Sequence, residues 1–132
     1  MPNVDHIGIA VPNLSEALAR WEPMTGPAEG PPEELPSQKV RVAFLSVGST
    51  HIELLEPTDP ASGVGKFVAS RGGGLHHLAF HVESVDRELD SLVARGLRVI
   101  DTKARPGARG RRVGFAHPSA FNGVLVEFVE GP

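Results

Sequence analysis

The chain contains no cysteine. That excludes a disulfide framework and a thiolate metal site, so any metal must be held by His, Asp, Glu or Gln. No apolar run approaches the roughly 20 residues that span a bilayer. The opening "MPNVDHIGIAV" goes straight into patterned sequence, without the basic and apolar regions of a secretion signal. Charge of one sign is also scarce. The 13 Lys and Arg against 16 Asp and Glu leave a net charge of −3, which argues against nucleic-acid or membrane binding. The expectation is a soluble, cytoplasmic protein of a single domain, 132 residues long.

Histidine, by contrast, is concentrated. "GGGLHHLAFHV", residues 72–82, puts three of the six histidines into six positions of a segment that otherwise reads as a buried strand. The rest of the chain says which of them matters, because the chain repeats itself. "HIGIAVPNLSEAL" from His6 matches "HLAFHVESVDREL" from His77, so that His6 meets His77, Val11 meets Val82, Leu14 meets Val85 and Leu18 meets Leu89. At the same offset of 71 residues, "VAFL" from Val42 falls on "VGFA" from Val113. With three more residues in the second half, "ELLE" from Glu53 falls on "EFVE" from Glu127. Three blocks in one order at a nearly constant offset are too regular for chance.

Each half reads as strand, helix, strands. "HIGIAV" and "HLAFHV" alternate with the strand period. Asn13, with Glu16 three residues on, forms a capping box opening a helix through about Trp21. Ser84 caps a second helix running to Arg95, and Gly96 takes the C-terminal glycine position. "VRVAFLSVG", "THIELLEP", "RRVGFAH" and "GVLVEFVE" supply the remaining strands. A short helix-like segment over about 63–71 lies between the halves. The stretch 23–39, with Pro at 23, 27, 31, 32 and 36, is expected to be a loop and not a helix.

A strand exposes alternate residues on alternate faces. His6, Gly8 and Ala10 therefore share one face while Ile7, Ile9 and Val11 take the other, which suits packing against a helix. In the second half His77, Ala79 and His81 share a face, opposite Leu78, Phe80 and Val82. The repeat selects His77, not His76, as the partner of His6. Glu53 lies between Ile52 and Leu54, and Glu127 between Val126 and Phe128. An ionised carboxylate in such a strand is costly unless it is paired or coordinates a metal. Two His and two Glu at matching repeat positions could converge on one point if the halves are related by a pseudo-two-fold axis. That donor set suits Co²⁺, Mn²⁺, Ni²⁺, Fe²⁺ or Zn²⁺, with room for water or substrate oxygens.

Paired modules of this kind, with His and Glu at equivalent positions, resemble the vicinal oxygen chelate superfamily. Within it the stretches "DHIGIAV", "QKVRVAFL", "IELLEP", "GLHHLAFHV", "ARPGARG", "FAHP" and "GVLVE" look most like the methylmalonyl-CoA epimerases. These run from residue 5 to residue 127, with the combination of "GLHH", "RPGARG" and "HPxxxxGVLVE" the most specific part. The resemblance implies an α+β fold of two tandem βαβββ modules forming a curved, cup-like mixed sheet around a metal site. Module one is then about 4–60, a linker helix about 61–74 and module two about 75–131.

It further implies a racemase or epimerase that interconverts (R)- and (S)-methylmalonyl-CoA through C2 proton abstraction and a metal-stabilised enolate. The implied metal ligands are His6, Glu53, His77 and Glu127. The implied cofactor is one divalent ion, Co²⁺ first, with Mn²⁺, Ni²⁺ or Zn²⁺ as alternatives. Glu127 is the first candidate base and Glu53 the second by symmetry, with His81 a further candidate. Some family members carry a second catalytic glutamate where this chain has Val42, so that base is missing here. The loop "RPGARGRR" gathers Arg105, Arg109, Arg111 and Arg112 around Gly107 and Gly110. Guanidinium forks suit phosphates, and bare glycine lets a ligand come close, so Arg105, Gly107 and Arg109 are the candidate contacts to an acyl-CoA. His51 and His117 are expected to be peripheral. A homodimer is the assembly that the resemblance implies, with no nucleic-acid or membrane partner. Two rival readings use the same fold: a glyoxalase I acting on a glutathione hemithioacetal, and a metal-free small-molecule-binding or resistance protein.

Overall fold

A computed structural model describes residues 2–132. Among them the elements run β1 (Asn3–Ala10), α1 (Leu14–Thr25), β2 (Glu33–Leu35), β3 (Val40–Val47), β4 (Thr50–Pro57), α2 (Gly63–Arg71), β5 (Gly74–His81), α3 (Val85–Ala94), β6 (Arg105–Pro106), β7 (Arg112–Ala116) and β8 (Val126–Glu130), with two short 3₁₀ turns at 108–110 and 118–121. The chain forms two compact units. One comprises His6–His76, the other the residues up to Asp5 together with His77–Pro132. None of the described helices is long and apolar enough to cross a membrane.

The repeat is a repeat of topology. The first unit orders its strands β2-β3-β4-β1 and the second β6-β7-β8-β5. In each, the first strand of the module runs parallel to the last, and the remaining pairings are antiparallel. This is the βαβββ module expected from the sequence, twice over.

The helices start the same way in both modules. Asn13 and Ser84 are the N-caps, at φ −145°, ψ 114° and φ −145°, ψ 115°. Asn13 Oδ1 accepts from Glu16 N at 2.9 Å, and Ser84 Oγ accepts from Arg87 N at 3.2 Å, satisfying an amide that the helix itself leaves open. A glutamate from the last strand of each module adds a second acceptor. Glu56 Oε2 accepts from Leu14 N at 3.3 Å and Glu130 Oε1 from Val85 N at 2.8 Å. These are the closing residues of the repeated blocks "ELLE" and "EFVE".

One face of each sheet packs against its helix. Leu14, Ala17, Ala43, Leu45 and Leu54 form this core in the first unit, and Val85, Leu89, Leu92, Ala116, Val126 and Phe128 in the second. Gly114 is required there, because a Cβ would come within 2.8 Å of Val85 Cγ1 and 2.9 Å of Leu89 Cδ1. With Leu54 and Val126 turned to the helices, strand alternation sends Glu53 and Glu127 to the opposite face.

Two expectations need correction. The helix α1 does not stop near Trp21 but continues through Pro23 to Thr25. Pro23 gives up its own amide bond and crowds the carbonyl four residues back, yet the turn is closed by Gly26 N donating to Glu22 O at 2.8 Å and Thr25 Oγ1 to Trp21 O at 3.2 Å. The stretch 23–39 is therefore not all loop. It also contains β2, paired antiparallel with β3 through Glu33↔Val42 and Leu35↔Val40. A strand this short, flanked by Pro32 and Pro36, is tolerated at a sheet edge because proline there costs no ladder bond on the outer side.

Farther along, Asp59 Oδ1 accepts from Ala61 N at 2.8 Å, with Lys39 Nζ 3.4 Å from Oδ2. The amide first, and the ammonium second, hold this carboxyl below its ordinary value. It shapes the turn that leads into α2.

Candidate metal centre

The same four-part arrangement is built in each unit. In the first, β1 lies beside β4 with Gly8 opposite Glu53. In the second, β5 lies beside β8 with Ala79 opposite Glu127. A small residue beside each glutamate leaves its carboxylate room. The imidazole two positions earlier supplies the nitrogen: His6 Nε2 stands 3.5 Å from Glu53 Oε1, and His77 Nε2 stands 3.1 Å from Glu127 Oε1.

All four side chains are buried, with 2% of His6, 6% of Glu53, 7% of His77 and 4% of Glu127 left accessible. A carboxylate desolvated to this degree needs positive charge beside it. Either a protonated imidazole or a cation bound by both side chains meets that need. The donors on offer, two imidazole nitrogens and two carboxylates, match the preferences of first-row divalent ions. The residues therefore fit a divalent metal.

Two residues outside the sequence-derived set complete the walls. Phe44 sits opposite Glu53 in the β3–β4 register and Phe115 opposite Glu127 in the β7–β8 register. Each ring meets its histidine edge-on, Phe44 to His6 at 5.7 Å and Phe115 to His77 at 5.9 Å between centroids. Edge-on packing fixes the plane of the imidazole without competing for its nitrogens. The signal for this pair lies in the repeat itself, since "VAFL" and "VGFA" align Phe44 with Phe115.

Val42 is buried hydrocarbon, 1% accessible, and moves no proton. His81, at the end of β5, has Nε2 2.8 Å from Gly131 O. His51 holds Glu29 through Nε2–Oε1 at 3.1 Å and stands edge-on to Phe44. His117 caps the second 3₁₀ turn by accepting from Ser119 N at 3.0 Å. His76 packs edge-on to Phe67, at 5.1 Å.

The basic loop divides into different fates. Arg111 is buried and forms a bidentate pair with Asp5, Nη1–Oδ1 2.7 Å and Nη2–Oδ2 2.8 Å, so it is a structural residue and not a solvated loop cation. Arg112 Nη2 is 3.5 Å from Asp86 Oδ2. Arg105 Nε is 3.2 Å from Asp101 Oδ1, and its guanidinium lies 5.4 Å from the centre of the Phe115 ring. Arg109 is exposed and takes a left-handed backbone, φ 60°. Gly107 has a packing reason for being glycine: a Cβ there would come within 2.5 Å of Val113 Cγ1.

This geometry has known counterparts. Residues 5–115 match the family described as the glyoxalase/bleomycin resistance protein/dioxygenase superfamily. The chain belongs to that superfamily. Among curated relatives, the ethylmalonyl-CoA/methylmalonyl-CoA epimerase of Cereibacter sphaeroides is 37% identical over 126 residues, covering 94% of each chain. Among solved structures, methylmalonyl-CoA epimerase from Mycobacterium tuberculosis superposes with a TM-score of 0.89 at 34% identity, over 98% of this chain and 87% of that one. A methylmalonyl-CoA epimerase in complex with methylmalonyl-CoA and NH₄⁺ gives a TM-score of 0.92 at 36% identity, over 99% and 95%. The resemblance read from "GLHH", "RPGARG" and "HPxxxxGVLVE" is borne out, and so is the vicinal oxygen chelate fold class.

Proposed function

We propose that this chain is an epimerase that interconverts the (R) and (S) forms of methylmalonyl-CoA. The observation that carries the reading is the pair of buried His–Glu couples, His6 with Glu53 and His77 with Glu127, at equivalent registers of the two modules. In this reading the four side chains hold one divalent ion, Co²⁺ first and Mn²⁺, Ni²⁺ or Zn²⁺ as alternatives. The near-full-length similarity to methylmalonyl-CoA epimerases supports the reaction class and an acyl-CoA substrate.

Epimerisation removes the proton from C2 and returns one to the opposite face, and the barrier is the negative charge left on the substrate in between. A bound divalent ion would supply Lewis-acid stabilisation of that charge. The protein supplies the bases. Glu127, ionised, takes the C2 proton, and Glu53, its repeat equivalent, enters the step protonated and gives its proton to the other side. Glu127 then loses its proton to solvent and Glu53 regains one from it. The loop carrying Arg105, Gly107 and Arg109 receives the anionic groups of the thioester. The protein acts as a homodimer in this reading.

The test is to incubate Co²⁺-loaded protein with a single enantiomer of methylmalonyl-CoA and resolve the products by chiral chromatography. The second enantiomer is expected to accumulate to equilibrium. Turnover of a glutathione hemithioacetal with no interconversion of the thioester would contradict it.

A further inference from the structure

The two modules differ in charge at one matched position. In the first, the edge strand β2 places Glu33 opposite Val42. In the second, the edge strand β6 places Arg105 opposite Val113, the repeat equivalent of Val42. Register partners in an antiparallel pair point to the same face. Arg105 therefore leaves the sheet on the side that carries Phe115, His77 and Glu127, away from α3.

We infer that Arg105 recognises the free carboxylate of the acyl group, which places the anionic end of the substrate against the second module. This rests on the epimerase reading above and assigns to one residue a group of its substrate. The side chain is held for the purpose. Phe115 N donates to Asp101 Oδ2 at 2.9 Å, and Arg105 Nε stands 3.2 Å from Asp101 Oδ1. Nε is buried at ion-pair distance from Asp101 without a hydrogen bond to it, and one face of the guanidinium lies on the Phe115 ring, so the Nη1–Nη2 edge is left for a ligand. No hydrogen bond among the described residues uses it. The side chain is 32% accessible. A planar guanidinium edge matches a carboxylate with two parallel hydrogen bonds.

Position decides which anion it meets. Phe115 touches Arg105 on one side and His77 on the other, 5.4 Å and 5.9 Å away between centres. The guanidinium is thus within one aromatic ring of a candidate metal ligand. The acyl carboxylate is bonded to the reacting carbon, whereas the CoA pyrophosphate lies at the far end of the pantetheine arm. Charge points the same way. A further carboxylate entering near Glu127 is repelled by it, and the Arg105 guanidinium, across the Phe115 ring in the same unit, offsets that repulsion.

The test compares malonyl-CoA with acetyl-CoA, which lacks the carboxylate, as ligands of the Co²⁺-loaded protein by calorimetry. Arg105→Met is expected to weaken malonyl-CoA about ten- to a hundredfold while changing acetyl-CoA by less than about twofold. Arg105→Lys, which keeps the charge but not the fork, should fall between. Equal weakening of both ligands would assign Arg105 to the CoA portion, and no change in either would remove it from the site. Both outcomes overturn the inference. Arg105→Gln provides the same comparison should the Met variant fail to fold. A wild-type protein that binds neither thioester would overturn the acyl-CoA reading itself, an outcome distinct from any seen only in the variants.

Discussion

The ring of Phe115 meets the imidazole of His77 edge-on, with centroids 5.9 Å apart and planes at 82°. The same contact recurs between Phe44 and His6, at 5.7 Å and 89°. A ring edge in this position restricts the imidazole to one orientation. Phe115→Leu keeps an apolar side chain but removes that restriction. It is expected to weaken Co²⁺ binding about tenfold or more. The loss of stability should be about 1–2 kcal/mol, less than truncation to Ala would cost. Titration of the stripped variant with Co²⁺, followed by its visible absorption, gives the affinity. An unchanged value would leave Phe115 as core packing alone.

Glu127 and Glu53 are each expected to move a proton, and each should therefore fail separately. Glu127→Ala, if folded and metal-loaded, should lower C2 exchange of the enantiomer that Glu127 deprotonates by about 10²–10⁴-fold, and Glu53→Ala should lower exchange of the opposite enantiomer likewise. Exchange into each enantiomer is read by mass spectrometry, after metal content has been measured for both variants. Full exchange by either variant would remove that glutamate from the proposed pair of bases.

Arg111 and Asp5 form a buried bidentate pair, with side chains 8% and 13% accessible. Taking away one partner strands the other charge away from water. Arg111→Met should cost about 3–5 kcal/mol, read from urea unfolding, and should do so at any metal concentration. A loss below about 1 kcal/mol, the scale of a surface pair, would show that the pair is solvated in solution.

Ser84 and Asn13 cap equivalent helices with the same backbone geometry. Ser84→Ala and Asn13→Ala should each cost about 1 kcal/mol, because each leaves a first-turn amide without its acceptor. Glycine at either position should be milder, by a few tenths of a kcal/mol instead. Thermal unfolding of the four variants checks the order.

The candidate centre is legible in the sequence because its residues are repeated. His6 and His77, Glu53 and Glu127, and the caps Asn13 and Ser84 all fall at matching places in three aligned blocks, and strand alternation then sets the faces of the histidines and glutamates. Local pattern could not reveal the Arg111–Asp5 pair, whose members are 106 residues apart. In "RRVGFAH" an arginine that seeks a distant aspartate looks like one that faces water. The edge strands β2 and β6 are hidden for another reason. At three and two residues, with prolines in or beside them, they are too short for a period to show and exist only through pairing with a longer neighbour. Pro23 misleads for another reason, since nothing in its neighbours shows that Gly26 and Thr25 close the helix beyond it.

The most direct test of the account is deuterium incorporation at C2 of methylmalonyl-CoA in D₂O, measured by mass spectrometry with and without a strong chelator. Rapid incorporation that stops on chelation and returns with Co²⁺ or Mn²⁺ is the expected result. A protein loaded with one metal ion per chain that leaves C2 unlabelled would contradict it.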